Sequence, residues 1–231
     1  MTLIEEALAT GNLFLELSPI YQTCNRAHDE RHIKRVLKLR EKYWPTLIAE
    51  KATMDMDPFV LDLAILFHEL NRAKQFRGKD EITKQTRAQF IVSHLSHLKL
   101  GNNVINDIIL ATETSSQPRS NLDSPLRTLL SDLDCCDIGA VGILRMADVA
   151  ADRGYGYGKA RNFNPTLPAT EGDENLDSVT DDLKFCLEWW NGPYKFRIIN
   201  TTIRKLAEYR FQFMRDFLIQ LKNEFEEIKT L

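Results

Sequence analysis

The sequence predicts an all-α protein, and three observations carry that reading. Apolar residues recur at three- and four-residue spacing through most of the chain. Glycine and proline are scarce, at 10 and 8 of 231 residues. No run alternates apolar and polar residues as a half-buried strand would.

The elements follow in order. A first helix is expected over about residues 3–17, and a second from near Ala27 to about Tyr43, ending before Trp44-Pro45. Asp57-Pro58 opens a third, because an aspartate cap followed by proline at the first helical position is a start signal. That helix carries FVLDLAILFHEL, apolar nearly all round, which marks it as the central buried helix. Asp80 caps a fourth, with Ile82, Phe90, Ile91 and Leu95 expected to point inward and Gly101-Asn102 closing it. Further helices are expected over about 103–113, 124–134, 136–150 and 178–189. Residues 153–177 hold four glycines and two prolines without periodicity. They read as a long loop of the kind that often serves as a lid, with Arg161 and its tyrosines available to close over a ligand. The last helix, about 195–226, has a stripe of Phe196, Ile199, Ile203, Leu206, Phe213, Phe217 and Leu221 and a length of about 45 Å. No repeat or linker interrupts the chain, so a single domain over 1–231 is expected.

Bulk composition narrows the function classes. With 43% hydrophobic and 27% charged residues, the chain can build a core without disulfide or metal staples. A net charge of -3 and a pI of about 6.0 give no basic footprint, so binding to nucleic-acid duplexes is not expected. The start, MTLIEEALATG, lacks the cationic and apolar regions of a secretory signal, and no stretch is apolar enough to span a membrane. Cys24, Cys135, Cys136 and Cys186 have no paired metal-ligand spacing and read as reduced thiols. A cytoplasmic location fits these features.

Chemistry concentrates in three segments. AHDERHIKRV places His28 and His32 four residues apart, expected on one helix. AILFHELNRA sets His68 and Glu69 into the apolar helix, where ionisable groups are costly to bury unless something such as a cation compensates them. LLSDLDCCDIGAVG supplies Asp132, Asp134 and Asp137 between apolar segments. Taken singly, each has a plain structural alternative: a hydrogen-bonded core histidine, a chance HxxxH pair, an aspartate helix cap.

Their order resembles the HD superfamily of metal-dependent phosphohydrolases. The chain is similar to its bacterial branch of small HD hydrolases in AHDERHIKRV, in DLDCC followed by GAVG, and in TIRKLAEYRFQFMRDFL near the end. The likeness runs from about residue 24 to 226. It implies a single HD-domain helical bundle with a long C-terminal helix. It also implies metal ligation by His32, His68, Glu69 and Asp134, with Asp132 as the alternative to Asp134. Two imidazoles and two carboxylates leave open positions on an octahedral ion, which suits Mn, Mg, Fe or Co better than a closed zinc site. The implied substrate is a small phosphorylated molecule, a nucleotide by resemblance, and a homodimer is left open.

His28, Glu113 and Lys74 are the expected acid/base or substrate groups, with Arg72 beside them as a phosphate fork. The chain departs from the family pattern in three places. Glu69 stands where the dyad has aspartate, Glu113 where a histidine is common, and Cys135 where a basic residue follows the distal aspartate. The alternative to an active hydrolase is therefore an HD-fold module that binds metal, nucleotide or a partner without turnover.

Overall fold

The computed structural model describes residues 1–24, 28–78, 80–114, 123–153, 179–191 and 198–229. Nine α-helices and no strands occur among them: α1 (Leu3–Tyr21), α2 (Glu30–Ala49), α3 (Pro58–Phe67), α4 (Glu81–Leu95), α5 (Asn102–Thr114), α6 (Pro125–Cys135), α7 (Ala140–Arg153), α8 (Val179–Asn191) and α9 (Thr201–Lys229). The all-helical expectation is met. The loop expected over 153–177, with Arg161, lies outside the described residues apart from Arg153. Two compact units make up the chain, Met1–Asp134 and Cys135–Leu231.

In the first unit α3 is the centre, packed against α1, α2 and α5. Its start is built as the sequence reads: the Asp57 carboxylate accepts from Phe59 N at 2.8 Å and Pro58 occupies the first turn. From Phe59 to Phe67 every residue but Val60 is buried. One of them is charged. Asp62 is 6% exposed and receives a two-pronged ion pair from Arg40 on α2. Burial raises the Asp62 carboxyl to about 6 despite that partner.

Several boundaries differ from expectation for physical reasons. α2 begins at Glu30, not near Ala27, because the Asp29 side chain caps it by accepting from Arg31 N and His32 N at 3.0 and 3.3 Å. His28 therefore precedes the helix rather than sharing it with His32. The same helix runs through Pro45 to Ala49, since Tyr43 and Leu47 are both buried and their packing outweighs one lost backbone bond. α1 likewise carries Pro19 in its last turns and ends on buried Tyr21. On α4 the inward register is Arg87, Ile91 and Leu95, while Ile82 is 77% exposed in the first turn. A 3-10 turn at Ser96–Leu98 and a left-handed Lys99 end that segment before Gly101.

In the second unit α7, α8 and α9 pack on one another. α7 starts at Ala140 rather than 136 because Gly139 takes a left-handed φ of +93°. A Cβ there would lie 3.4 Å from Arg210 Cβ on α9, and Arg210 Nη1 donates to Ile138 O at 3.0 Å. This gives the first glycine of GAVG a structural purpose. The buried row of α9 is Ile203, Ala207, Phe211, Met214 and Leu218; Phe213 is 46% exposed. The expected stripe is thus rotated by part of a turn. The smaller Ala207 and the adaptable Met214 face inward where Leu206 and Phe213 were expected, and Phe196 of that stripe lies outside the described residues.

None of the four cysteines forms a disulfide: Cys136 and Cys186 are buried, Cys24 and Cys135 half-buried. Among the described residues no helix is long and apolar enough to cross a membrane.

Truncating Leu63, fully buried at the centre of α3, to alanine should lower the unfolding free energy by about 2–5 kcal/mol. Asp57→Ala should cost about 1 kcal/mol through loss of the cap. Urea titrations followed by circular dichroism measure both.

Candidate metal centre

The centre is assembled within the first unit from the beginning of α2, the end of α3 and the last turn of α6. His32 sits in the first turn of α2, oriented by the Asp29 cap on its own N–H. His68 follows the last residue of α3, so the apolar run that buries the helix carries the imidazole inside with it. Glu69 is the next residue, and Asp134 lies on α6.

One donor atom from each of His32, His68, Glu69 and Asp134 lies within 4.8 Å of the others. His32 Nε2 is 3.2 Å from His68 Nε2, 3.1 Å from Asp134 Oδ1 and 3.3 Å from Glu69 Oε1. His68 Nε2 is 3.5 Å from Glu69 Oε1 and 3.7 Å from Asp134 Oδ1. Bonds of about 2.1 Å to one ion would hold adjacent ligand atoms about 3.0 Å apart in an octahedron and about 3.4 Å apart in a tetrahedron. The three spacings from His32 Nε2, 3.1–3.3 Å, fall in that range, and those from His68 Nε2 to the carboxylates, 3.5 and 3.7 Å, lie just beyond it.

The donor chemistry also fits a cation. His68 Nδ1 faces the Ile65 carbonyl at 2.7 Å. A carbonyl only accepts, so Nδ1 carries the hydrogen, and in the neutral ring Nε2 presents a lone pair to the centre. It meets a second imidazole nitrogen and two carboxylate oxygens. Burial raises the Glu69 carboxyl, but the charge of His28 and hydrogen bonds from His28 and His32 outweigh it and hold Glu69 well below the usual range. Asp134 behaves alike: burial raises it, and the neighbouring His32 and His68 rings outweigh burial and hold it low. Two carboxylates kept ionised beside two imidazole nitrogens form a buried negative site that could hold a metal ion. The side chains of His32 and His68 are 0% and 1% exposed and that of Asp134 31%. Asp134 is thus the most exposed of the four.

His28 joins from outside the four. Its Nδ1 lies 2.7 Å from Glu69 Oε1, and its side chain is 24% exposed. Asp132 is fully buried on α6, and Asp134 rather than Asp132 enters the cluster. Two residues apart on a helix, they face nearly opposite sides, so both cannot point at one ion. Lys74 is exposed in a short 3-10 turn, Lys74–Phe76, its N–H donating to Thr23 Oγ1 at 3.1 Å. Arg72 Nε stands 3.8 Å from Glu69 Oε2. Glu113 is not brought to the centre: it is held by a two-pronged ion pair from Arg87 on α4.

Some participants escaped the sequence reading. The buried Tyr21 hydroxyl donates to Leu66 O, bracing the turn that carries the dyad. Arg87 gave one faint signal, its four-residue spacing to Ile91 and Leu95 on the buried face of α4. Tyr21 gave none, since its partner is a backbone carbonyl 45 residues away.

The same architecture occurs in solved structures. Bacillus subtilis YpgQ, crystallised in complex with ADP, superposes with a TM-score of 0.65 at 22% identity over 95% of this chain and 96% of that one. The chain has an HD-like helical fold. The Lin1889 protein of Listeria innocua matches with a TM-score of 0.58 at 19% identity over 94% and 97% of the two chains. A Lactobacillus plantarum protein matches at 0.61 and 16% over 98% and 99%. At these identities the likeness establishes fold alone. No family model matches the sequence, and no curated protein does.

Two outcomes check the centre. Mn²⁺ at a hundredfold excess over its Kd should raise the unfolding free energy by about 2.7 kcal/mol, and His68→Ala should abolish the gain; differential scanning calorimetry reads both. Burial, with the charge of Glu69 adding to it, pushes the Cys24 thiol up to about 12. At pH 8 native Cys24 should therefore react with iodoacetamide far more slowly than in the unfolded chain, as peptide mapping would show.

Proposed function

We propose that this protein is a metal-dependent phosphohydrolase acting on a phosphate ester or anhydride, with nucleotides as the substrate class. The observation that carries the proposal is the convergence of two buried imidazole nitrogens, 3.2 Å apart, with one oxygen each from Glu69 and Asp134. That donor set leaves positions open on an octahedral ion of the Mn²⁺, Mg²⁺, Fe²⁺ or Co²⁺ type. The nucleotide part draws support from YpgQ, which shares the fold and was crystallised with ADP.

His32, His68, Glu69 and Asp134 would hold the ion. When bound, it would lower the pKa of a water and offset charge on the phosphoryl group. His28 holds Glu69 Oε1 and so fixes a side chain one methylene longer than aspartate. Standing half-exposed beside the centre, it is also placed to pass a proton to a leaving oxygen. Arg72 and Lys74 stand after the dyad as partners for substrate phosphate oxygens.

A second reading is metal or nucleotide binding without turnover. The His28–Glu69 contact favours it, because it engages the oxygen that would also ligate the ion.

The deciding experiment is a panel of nucleoside phosphates and p-nitrophenyl phosphate, assayed with Mn²⁺ and with EDTA. Metal-dependent phosphate release is expected. It should vanish in Asp134→Ala and fall about 10- to 100-fold in His28→Ala, as for groups that orient a ligand. Binding of ADP and Mn²⁺ with no release from any compound would instead establish the binding module. Glu69→Asp sharpens the outcome: gained activity means the glutamate impairs turnover, and lost activity means the site is adapted to it.

A further inference from the structure

We infer that Arg87, with Glu113, is a positioning residue: it fastens the cationic segment 72–78 beside the metal centre, and so acts on ligand binding without touching ligand or metal. The inference rests on the proposed binding of a phosphorylated ligand at that centre.

Arg87 is 3% exposed on α4, a position its helix would ordinarily fill with an apolar residue. Its Nε and Nη2 both bind Glu113. Its Nη1 donates to Phe76 O at 2.8 Å and Gly78 O at 2.9 Å. A guanidinium has five N–H groups in a fixed fork, and four of them are used by these contacts. Arg87 therefore has little left with which to meet a phosphate. Its buried charge is matched by Glu113, while its remaining hydrogens are spent on the backbone of one short segment.

That segment is unusual in composition. Arg72-Ala73-Lys74-Gln75-Phe76-Arg77 holds three cations and no acid. Lys74 and Arg77 are exposed, and the Arg72 side chain is 40% exposed. Regular structure here is limited to the two short 3-10 turns Leu70–Arg72 and Lys74–Phe76. The chain is held at one side by Lys74 N on Thr23 Oγ1 and at the other by the two carbonyls on Arg87. Arg72 Nε, 3.8 Å from Glu69 Oε2, places its beginning against the dyad. Without Arg87 a run of three like charges would lose its hydrogen-bonded anchor on α4 and keep there only the ring contact of Phe76 with Phe90, 4.9 Å between centroids. A neutral residue at 87 would also leave Glu113 charged and unpaired.

Hydrogen exchange and a double-mutant cycle test this together. In Arg87→Met, the amides of residues 73–76 should exchange at least tenfold faster while those of residues 62–67 in α3 keep their protection. Mn²⁺ affinity should stay within twofold of native, since no ligand is altered. Affinity for ADP in the presence of Mn²⁺ should fall about tenfold. Arg72→Ala/Lys74→Ala/Arg77→Ala should lose a comparable amount, and adding Arg87→Met to it should cost less than a further twofold, because both act through one segment. Arg87→Lys, which keeps the charge but not the fork, should retain most of the melting temperature while still exchanging fast at 73–76. Unchanged exchange at 73–76 in Arg87→Met, or ADP losses that multiply in the combined variant, would overturn the inference. If the native protein binds Mn²⁺ but not ADP, the ligand reading fails, and the exchange result alone decides the anchoring.

Discussion

Burying a histidine and a glutamate at the end of an apolar helix is the constraint around which the first unit is arranged. α3 is buried along almost its full length, and its hydrophobic burial carries His68 and Glu69 out of water with it. Each group then needs a partner. His68 takes one from its own helix, the Ile65 carbonyl, and that bond turns its other nitrogen toward the centre. Glu69 takes His28 and His32. The Asp29 cap sets His32, and α6 supplies Asp134. What remains is a set of electron-rich atoms, kept ionised by their neighbours, whose common interest is a cation.

Within each unit the structure uses ion pairs with separate duties. Arg40–Asp62 joins α2 to α3, and Arg87–Glu113 joins α4 to α5. In the second unit Arg145 pairs with buried Asp137. Such pairs seldom add much net stability over apolar packing, but losing one partner is costly because the other stays buried and charged. Their value here is geometric. Arg40 fixes the helix that carries His32 in its first turn against the helix that His68 follows.

The site and the fold were legible to different degrees. Helix periodicity and the Asp57-Pro58 start signal located α3, ionisable residues inside apolar segments marked His68, Glu69 and the stretch with Asp132, Asp134 and Asp137, and the family resemblance singled out His32 and Asp134. Other features were not legible because they depend on distant partners. Glu113 read as a site group, yet its position is decided by Arg87, 26 residues earlier. Pro45 read as a helix stop, yet buried Tyr43 and Leu47 on either side carry the helix past it. His28 read as a helical residue, although the next residue, Asp29, supplies a cap that could have been recognised. On α9 the apolar residues selected, Phe213 among them, mark a face partly turned to solvent, because the small Ala207 weighs little in a hydrophobic pattern.

The central claim is that His32 and His68 jointly bind one divalent ion through their Nε2 atoms. Electron spin-echo spectroscopy of the full chain loaded with one equivalent of Mn²⁺ tests it most directly, because imidazole nitrogens bound to Mn²⁺ modulate the echo. The account predicts coupling from two histidine nitrogens in the native protein, reduced to one in His32→Ala and in His68→Ala. Mn²⁺ that shows only oxygen ligands, or nitrogen coupling unchanged in those variants, would contradict it.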